Sequence, residues 1–189
     1  MIVGSMLNAD SVERALEACE FVSIGRGMLA DPAFASKIIS SPQLLRPCIR
    51  CNQACRDLSY GEVRCTVNPT VGFEYRSMER YSGEIAIIGG GVQGLEAALF
   101  AAKTGLRVKL YESNDSIGGQ LNMIKDEYKK RAFMPLLSYY RNALEKIGVD
   151  VELGSKYSGQ GIYCLPLIQY PEIPDNASVV ESNIYAHHD

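Results

Sequence analysis

Four cysteines fall within eighteen residues of this 189-residue chain, at Cys48, Cys51, Cys55 and Cys65. The stretch around them, residues 46 to 80, has little hydrophobic periodicity and several turn formers (Gly61, Asn68, Pro69 and Gly72). Such a segment lacks a core of its own and is expected to rely on a metal for order. Thiolates are soft ligands that suit zinc or an iron–sulfur cluster. Four of them satisfy one tetrahedral zinc or one cubane cluster equally well. Zinc ribbons usually place two CxxC knuckles at a distance. Here CxxCxxxC is followed by a fourth cysteine after a short loop, which fits a compact cluster wrapped by one loop better.

The surroundings favour metal over disulfides. The Met1-Ile2-Val3-Gly4 start lacks a basic region and meets Asp10 too early for a signal peptide. No apolar run reaches membrane-spanning length, so no membrane partner is expected. A cytoplasmic, reducing setting follows, in which clustered cysteines bind metal. The formal net charge of −3 implies no nucleic-acid partner. Hydrophobic residues make up 47% and charged residues 22%, ordinary for a globular protein. The run Lys129-Lys130-Arg131 reads as a solvated helix face.

Along the chain, Ile2-Val3-Gly4-Ser5 is a short apolar run ending in small residues. Asn8, Asp10 and Ser11 are each suited to cap a helix. Val12, Ala15, Leu16 and Cys19 follow at helical spacing, which predicts an amphipathic helix over residues 11–20. Cys19 falls on its apolar face and reads as core rather than ligand. Phe21 to Ile24 is a second strand, turning at Gly25-Arg26-Gly27. Residues 32–40 read as a short helix. This strand–helix–strand unit needs more strands to cover a parallel sheet, so the chain is expected to begin inside an α/β domain.

A second unit begins near Gly83. Ile85 to Ile88 is a buried strand, Leu95 to Lys103 an Ala-rich helix closed by Gly105, and Arg107 to Tyr111 the next strand. Phe133, Leu136, Leu137, Tyr140, Leu144 and Ile147 line one face of a long helix that Gly148 closes. Val149, Val151 and Leu153 alternate as a third strand. From Gly159 onward the pattern fades, and Pro166, Pro171 and Pro174 predict an irregular tail. His187 and His188 end it and are expected to be inert. Cys164 lies in this tail with no neighbouring cysteine.

Between the first strand and helix of that unit stand Gly89, Gly91 and Gly94, spaced GxGxxG. Strand before and helix after make the motif a credible dinucleotide turn. Gly89 permits the tight turn, Gly91 lets backbone approach a pyrophosphate, and Gly94 allows close helix–strand packing. The helix N-terminus presents its amides to the phosphates. Glu112 ends the next strand, placed for a ribose hydroxyl, and would repel a 2′-phosphate, so NADP is not expected there. The following Gly118-Gly119-Gln120 is a second glycine pair, of the kind that suits an FAD-binding unit, and NAD stays open on this pattern alone. A soft metal together with a dinucleotide most economically implies electron transfer.

Taken together, these residues resemble a known family. Residues 25–32, Gly-Arg-Gly-Met-Leu-Ala-Asp-Pro, look like the end of an old-yellow-enzyme-type barrel. Residues 46–55, Arg-Pro-Cys-Ile-Arg-Cys-Asn-Gln-Ala-Cys, look like the cysteine segment of its iron–sulfur branch, which includes 2,4-dienoyl-CoA reductase, 2-enoate reductase and trimethylamine dehydrogenase. Cys65-Thr66-Val67-Asn68-Pro69 and Gly118-Gly119-Gln120-Leu121 also fit. The resemblance runs to about Leu153 and returns faintly over residues 173–180, while residues 159–170 match nothing in the family.

The resemblance implies an α/β organisation. Residues 1–45 would end an FMN-binding (β/α)8 barrel, residues 46–80 would hold a [4Fe–4S] cluster on Cys48, Cys51, Cys55 and Cys65, and residues 81–158 would be a Rossmann-like FAD-binding unit, before a divergent tail over 159–189. Gly25 and Arg26, with the backbone at Gly4 and Ser5, would hold the FMN phosphate. Gly89, Gly91, Gly94, Glu112, Gly119 and Gln120 would serve the ADP half of FAD. Electrons would pass from NAD(P)H through FAD and the cluster to FMN, for reduction of an activated C=C bond. The family's earlier barrel strands, its proton donor and its second nucleotide unit are absent, so no catalytic residue is assigned. A larger flavoprotein subunit supplying the barrel is an expected partner. The alternatives are an electron-transfer or scaffold subunit without catalysis of its own, and a zinc-binding nucleotide module.

Overall fold

The computed structural model describes residues 1–59, 61–165 and 178–179. The chain divides into two compact units, Met1–Ser77 with Asp126–Asn142, and Met78–Lys125 with Ala143–Asp189. Among the described residues no helix is long and apolar enough to cross a membrane.

In the first unit, β1 (Ile2–Val3) and β2 (Val22–Ser23) pair in parallel, Ile2 opposite Val22 and Val3 opposite Ser23. Helix α1 (Ala9–Leu16) connects them. Asn8 caps it: its Oδ1 accepts from the Ser11 amide at 3.0 Å, while Ser11 Oγ accepts from the Asn8 amide at 3.2 Å. The helix stops at Leu16, short of the expected residue 20. Cys19 is therefore not on a helix face. Its thiol contacts the carbonyls of Ala15 and Phe21, each at 3.1 Å, which also accept from the Ala18 and Ile2 amides.

Two helices follow β2, α2 (Arg26–Ala30), where a turn was expected, and α3 (Phe34–Ser40). Met6, Val12, Ala15, Phe34 and Leu45 form the core, with Val22, Ile24 and Ile38 packed on it. From Leu45 to Gly83 the described residues contain no helix or strand.

The second unit is one parallel sheet of order β5-β4-β3-β6-β7. Its strands are β3 (Glu84–Ile88), β4 (Arg107–Tyr111), β5 (Asp150–Glu152), β6 (Ile162–Tyr163) and β7 (Ser178–Val179). Helix α4 (Val92–Lys103) packs on β3 and β4, burying Leu95, Ala98 and Leu99 with Ile87 and Leu110. Burial of each leucine or isoleucine side chain stabilises by about 1.5–3 kcal/mol. Gly105, at φ +100°, ends α4 as expected.

The irregular tail expected from residue 159 needs correction. Ile162–Tyr163 pairs with Ile87–Ile88, and Ser178–Val179 pairs with Ile162–Tyr163. A two-residue strand is too short to show periodicity; its pairing with a central strand decides its state. Pro166, Pro171, Pro174, His187 and His188 lie outside the described residues.

The long helix is α5 (Glu127–Ile147), with Pro135 inside it. It counts with the first unit through Asn142 and with the second from Ala143. Leu136, Leu137, Tyr140 and Leu144 are buried as expected, whereas Ile147 is exposed. Lys129-Lys130-Arg131 lies in its first turns, and Lys130 pairs with Glu127 at 2.7 Å.

One contact fixes how α4 meets β3. A Cβ added at Gly94 would lie 1.8 Å from the Gly89 carbonyl oxygen, which is backbone and cannot swing aside. Gly94→Ala is expected to destabilise the second unit by about 1–3 kcal/mol through overpacking. Thermal unfolding checks this, and an unchanged midpoint contradicts it.

Candidate functional site

The sheet order sets where a ligand can bind in the second unit. The chain runs outward from β3 to β4 and β5, then returns on the other side of β3 as β6. The gap between β3 and β6 is thus a topological switch point, where open parallel sheets bind ligands outside their carboxyl ends. Gly89 leaves β3 at that end, and Cys164 leaves β6 beside it. The Cys164 carbonyl crowds Gly89, which turns at φ +108°. Gly91 is the N-cap of α4, no side chain caps that helix end, and a Cβ at Gly91 would meet nothing within 4 Å. The turn therefore offers open backbone at a helix N-terminus, as a phosphate requires.

The second glycine pair lies against the first. The Gly118 amide donates to the Gly90 carbonyl at 2.7 Å, and a Cβ on Gly119 would come within 3.0 Å of the Gly91 Cα. Gln120 is exposed in the turn that follows. Glu112 is buried at the end of β4. Its Oε2 accepts from the Gly90 amide at 2.7 Å. Its Oε1 accepts from the Asn114 amide at 2.8 Å and from the Asn114 side chain at 2.7 Å. Both oxygens thus brace the turn.

Two residues of this site escaped the sequence reading. Gly90 lies so near Glu112 that a Cβ would stand 2.9 Å from Oε2. The middle glycine of Gly89-Gly90-Gly91 was its only signal. Cys164 carried none, because its place depends on β6 pairing. Burial pushes its thiol up to about 11.

In the first unit, Cys48, Cys51, Cys55 and Cys65 line one small recess together with Arg26, Leu29, Asn52 and Thr66. All four are free, half-buried thiols. Among the described residues, however, no group of three or more His, Cys, Asp or Glu side chains is arranged to hold a metal ion. Thiols do not attract one another, so the loop rests on other contacts. Arg50 and Asn52, flanking Cys51, adopt φ of +58° and +54°. Cys51 Sγ lies 3.3 Å from the Thr66 hydroxyl. Desolvation raises the Cys65 thiol above its ordinary range, partly offset by hydrogen bonds from the Val67 and Asn68 amides to its sulfur, with Cys48 and Cys51 adding to the rise. The donor set, four sulfurs on one recess, fits an iron–sulfur cluster in its chemistry.

The expected FMN-phosphate residues sit at one end of the two-stranded sheet. The parallel register sets Gly4-Ser5, after β1, beside Gly25, which precedes α2 after β2. Gly4 and Ser5 are exposed, with φ of +117° and +52°. Arg26 instead directs its guanidinium to Asn52 Oδ1 in the cysteine loop.

Comparison with known proteins places this geometry. Residues 87–136 match the model of an NAD(P)-binding Rossmann-like domain. A bilirubin reductase of Mediterraneibacter gnavus is 32% identical over 185 residues, covering 94% of this chain and 28% of that protein. A cinnamate reductase of Clostridium sporogenes is 32% identical over 150 residues, covering 76% of this chain and 22% of that protein. The structure of a 2-naphthoyl-CoA reductase aligns with a TM-score of 0.74 at 24% identity, over 82% of this chain and 26% of that one. The likenesses fit the old-yellow-enzyme-related flavoprotein family, in its C-terminal part. The chain spans about a quarter of the length of these family members. Residues 87–125 of the Rossmann-like match lie in the second unit and residues 126–136 in the first.

The environment of Cys164 makes a direct prediction. At pH 8 in the folded chain its alkylation is expected to be slower than that of an ordinary exposed thiol by about two orders of magnitude. Mass spectrometry of timed iodoacetamide labelling checks this, and modification of Cys164 at the ordinary rate contradicts it.

Proposed function

We propose that this chain is part of an oxidoreductase in which FAD and a [4Fe–4S] cluster relay electrons from NAD(P)H to FMN for reduction of an activated C=C bond. The observation that carries the reading is that Cys48, Cys51, Cys55 and Cys65 line one recess. Bound there, a cluster would supply one-electron transfer, at a potential set by burial and hydrogen bonds to sulfur. The reductase names of the two curated relatives support the substrate class.

The chain's own residues have definite tasks in this reading. The four cysteines hold the cluster as thiolates. Gly89, Gly91 and Gly94 keep backbone open for a pyrophosphate, while Gly118 and Gly119 seat a second strip of backbone against the first. Glu112 fixes the Gly90 peptide and thereby the shape of the turn. Gly4, Ser5 and Gly25 offer backbone at one sheet end for the FMN phosphate, with Arg26 supplying charge. A reducing, cytoplasmic setting suits the free thiols.

A larger flavoprotein subunit bearing the remaining barrel strands is the proposed partner. The two-stranded sheet leaves Val3 69% and Phe21 68% exposed, and two strands alone are marginal in water. If the partner held all the catalytic groups, this chain would act as its electron-transfer subunit. Co-purification with an active, barrel-bearing flavoprotein is expected.

Two substitutions test the reading. Cys51→Ser is expected to abolish the brown absorbance of anaerobically purified chain; an unchanged visible spectrum contradicts the cluster assignment. Glu112→Ala is expected to weaken FAD binding, as seen by calorimetry, because it removes the brace on the Gly90 amide. Leaving that buried amide unpaired also costs about 1–3 kcal/mol of stability. An unaltered dissociation constant removes Glu112 from the nucleotide site.

A further inference from the structure

An acid at the end of the second strand of a dinucleotide unit ordinarily accepts from a ribose hydroxyl. In this chain that acid is already occupied. Glu112 Oε2 accepts from the Gly90 amide at 2.7 Å. Oε1 accepts from the Asn114 amide at 2.8 Å, the Asn114 side-chain nitrogen at 2.7 Å and the Ser113 hydroxyl at 3.2 Å. A carboxylate has about four acceptor positions, shared between its two oxygens. These donors match that capacity, and Oε1 holds more than its share. Glu112 is also 5% exposed, so a ribose hydroxyl would have to displace one of the donors to reach it.

The adjoining side chain is arranged in the opposite way. Asn114 is exposed, and its amide nitrogen faces Glu112. The amide oxygen is therefore turned away from the carboxylate. Among the described residues nothing donates to it. Flipping the amide would set Oδ1 against Oε1, two acceptors with no proton between them. Glu112 thus fixes Asn114 Oδ1 as an open acceptor. The backbone is held as well, because the Asn114 carbonyl accepts from the Gly154 amide at 3.0 Å and the Glu112 carbonyl from the Ser155 amide at 2.9 Å. Asn114 follows β4 at the carboxyl side of the sheet, and Glu112 links it directly to the Gly90 peptide of the phosphate turn. A ribose adjoins the diphosphate in any dinucleotide, so the open acceptor lies where a sugar hydroxyl is to be read.

We infer that Asn114, rather than Glu112, is the specificity-determining residue for the adenosine ribose. Its Oδ1 accepts from the 2′-hydroxyl, and Glu112 is the positioning residue that aims the amide. The inference rests on the nucleotide-site reading above and deepens it. A 2′-deoxy sugar has no proton to donate there. An ionised 2′-phosphate is all acceptor and meets another acceptor. Discrimination at this position is therefore by hydrogen-bond polarity.

The test measures binding of ADP, 2′-deoxy-ADP and 2′-phospho-ADP to the full chain by calorimetry, for wild type and Asn114→Ala. Wild type is expected to bind ADP about 5- to 10-fold more tightly than 2′-deoxy-ADP, the contribution of one hydrogen bond, and 2′-phospho-ADP no better than 2′-deoxy-ADP. Asn114→Ala is expected to bring ADP and 2′-deoxy-ADP to within about twofold of each other, with 2′-deoxy-ADP binding as it does to wild type. If Asn114→Ala does not fold by circular dichroism, Asn114→Ser, whose hydroxyl can still donate to Glu112, decides by the same comparison. A variant that keeps the preference for ADP overturns the inference. Equal weakening of ADP and 2′-deoxy-ADP means a purely structural role and overturns it too. Wild type that binds both equally overturns the inference and leaves the nucleotide site standing, whereas wild type that binds neither ADP nor FAD overturns both.

Discussion

The cysteine segment depends on the buried carboxylate of Asp31. Asp31 is 4% exposed and accepts hydrogen bonds from the Arg46 amide, the Ala33 amide and the Lys37 ammonium. Breaking such an arrangement by removing one partner leaves a buried group unsatisfied, which costs more than the bond itself contributes. Through Asp31 the start of α3 is tied to Arg46, and through Arg46 the loop entrance is tied to its exit at Val67. Among the described residues no helix or strand lies between Leu45 and Gly83, so individual side-chain contacts hold the loop. The Arg46 guanidinium thereby reaches Val67, which lines the recess that the four thiols share.

The nucleotide unit rests on a different constraint, the close approach of backbone to backbone. Gly94 meets the Gly89 carbonyl, Gly119 meets Gly91, and the Cys164 carbonyl meets Gly89. Side chains at these glycines would separate α4 from β3 or fill the open turn. Glu112 completes the arrangement from beneath by taking the Gly90 amide. The same features make room for a pyrophosphate, so the packing requirement and the proposed binding requirement coincide in one set of residues.

Much of this was legible where the pattern is local. Strand, glycine turn and helix from Glu84 to Lys103, the strand Arg107–Tyr111, Glu112 at its end and Asn8 as a cap all follow from spacing and side-chain chemistry within a few residues. The misreadings arise where the cause is distant. The early end of α1 freed Cys19 from the helix face, and β6 exists through its pairing with β3. Arg46 and Asp31 look like ordinary polar residues in sequence; only burial and the hydrogen bond that joins them across a sequence separation of 15 reveal their task. The CxxCxxxC spacing marked the ligand candidates, but it could not show that the free thiols gather around a recess without forming a metal-holding group.

The proposed function stands on the binding of iron and sulfide by these four cysteines. The most direct measurement is the content of iron, acid-labile sulfide and zinc in the chain purified without oxygen. The account predicts about four iron and four sulfide per chain with little zinc. Stoichiometric zinc, or chain that binds neither iron nor sulfide on anaerobic reconstitution, would contradict it.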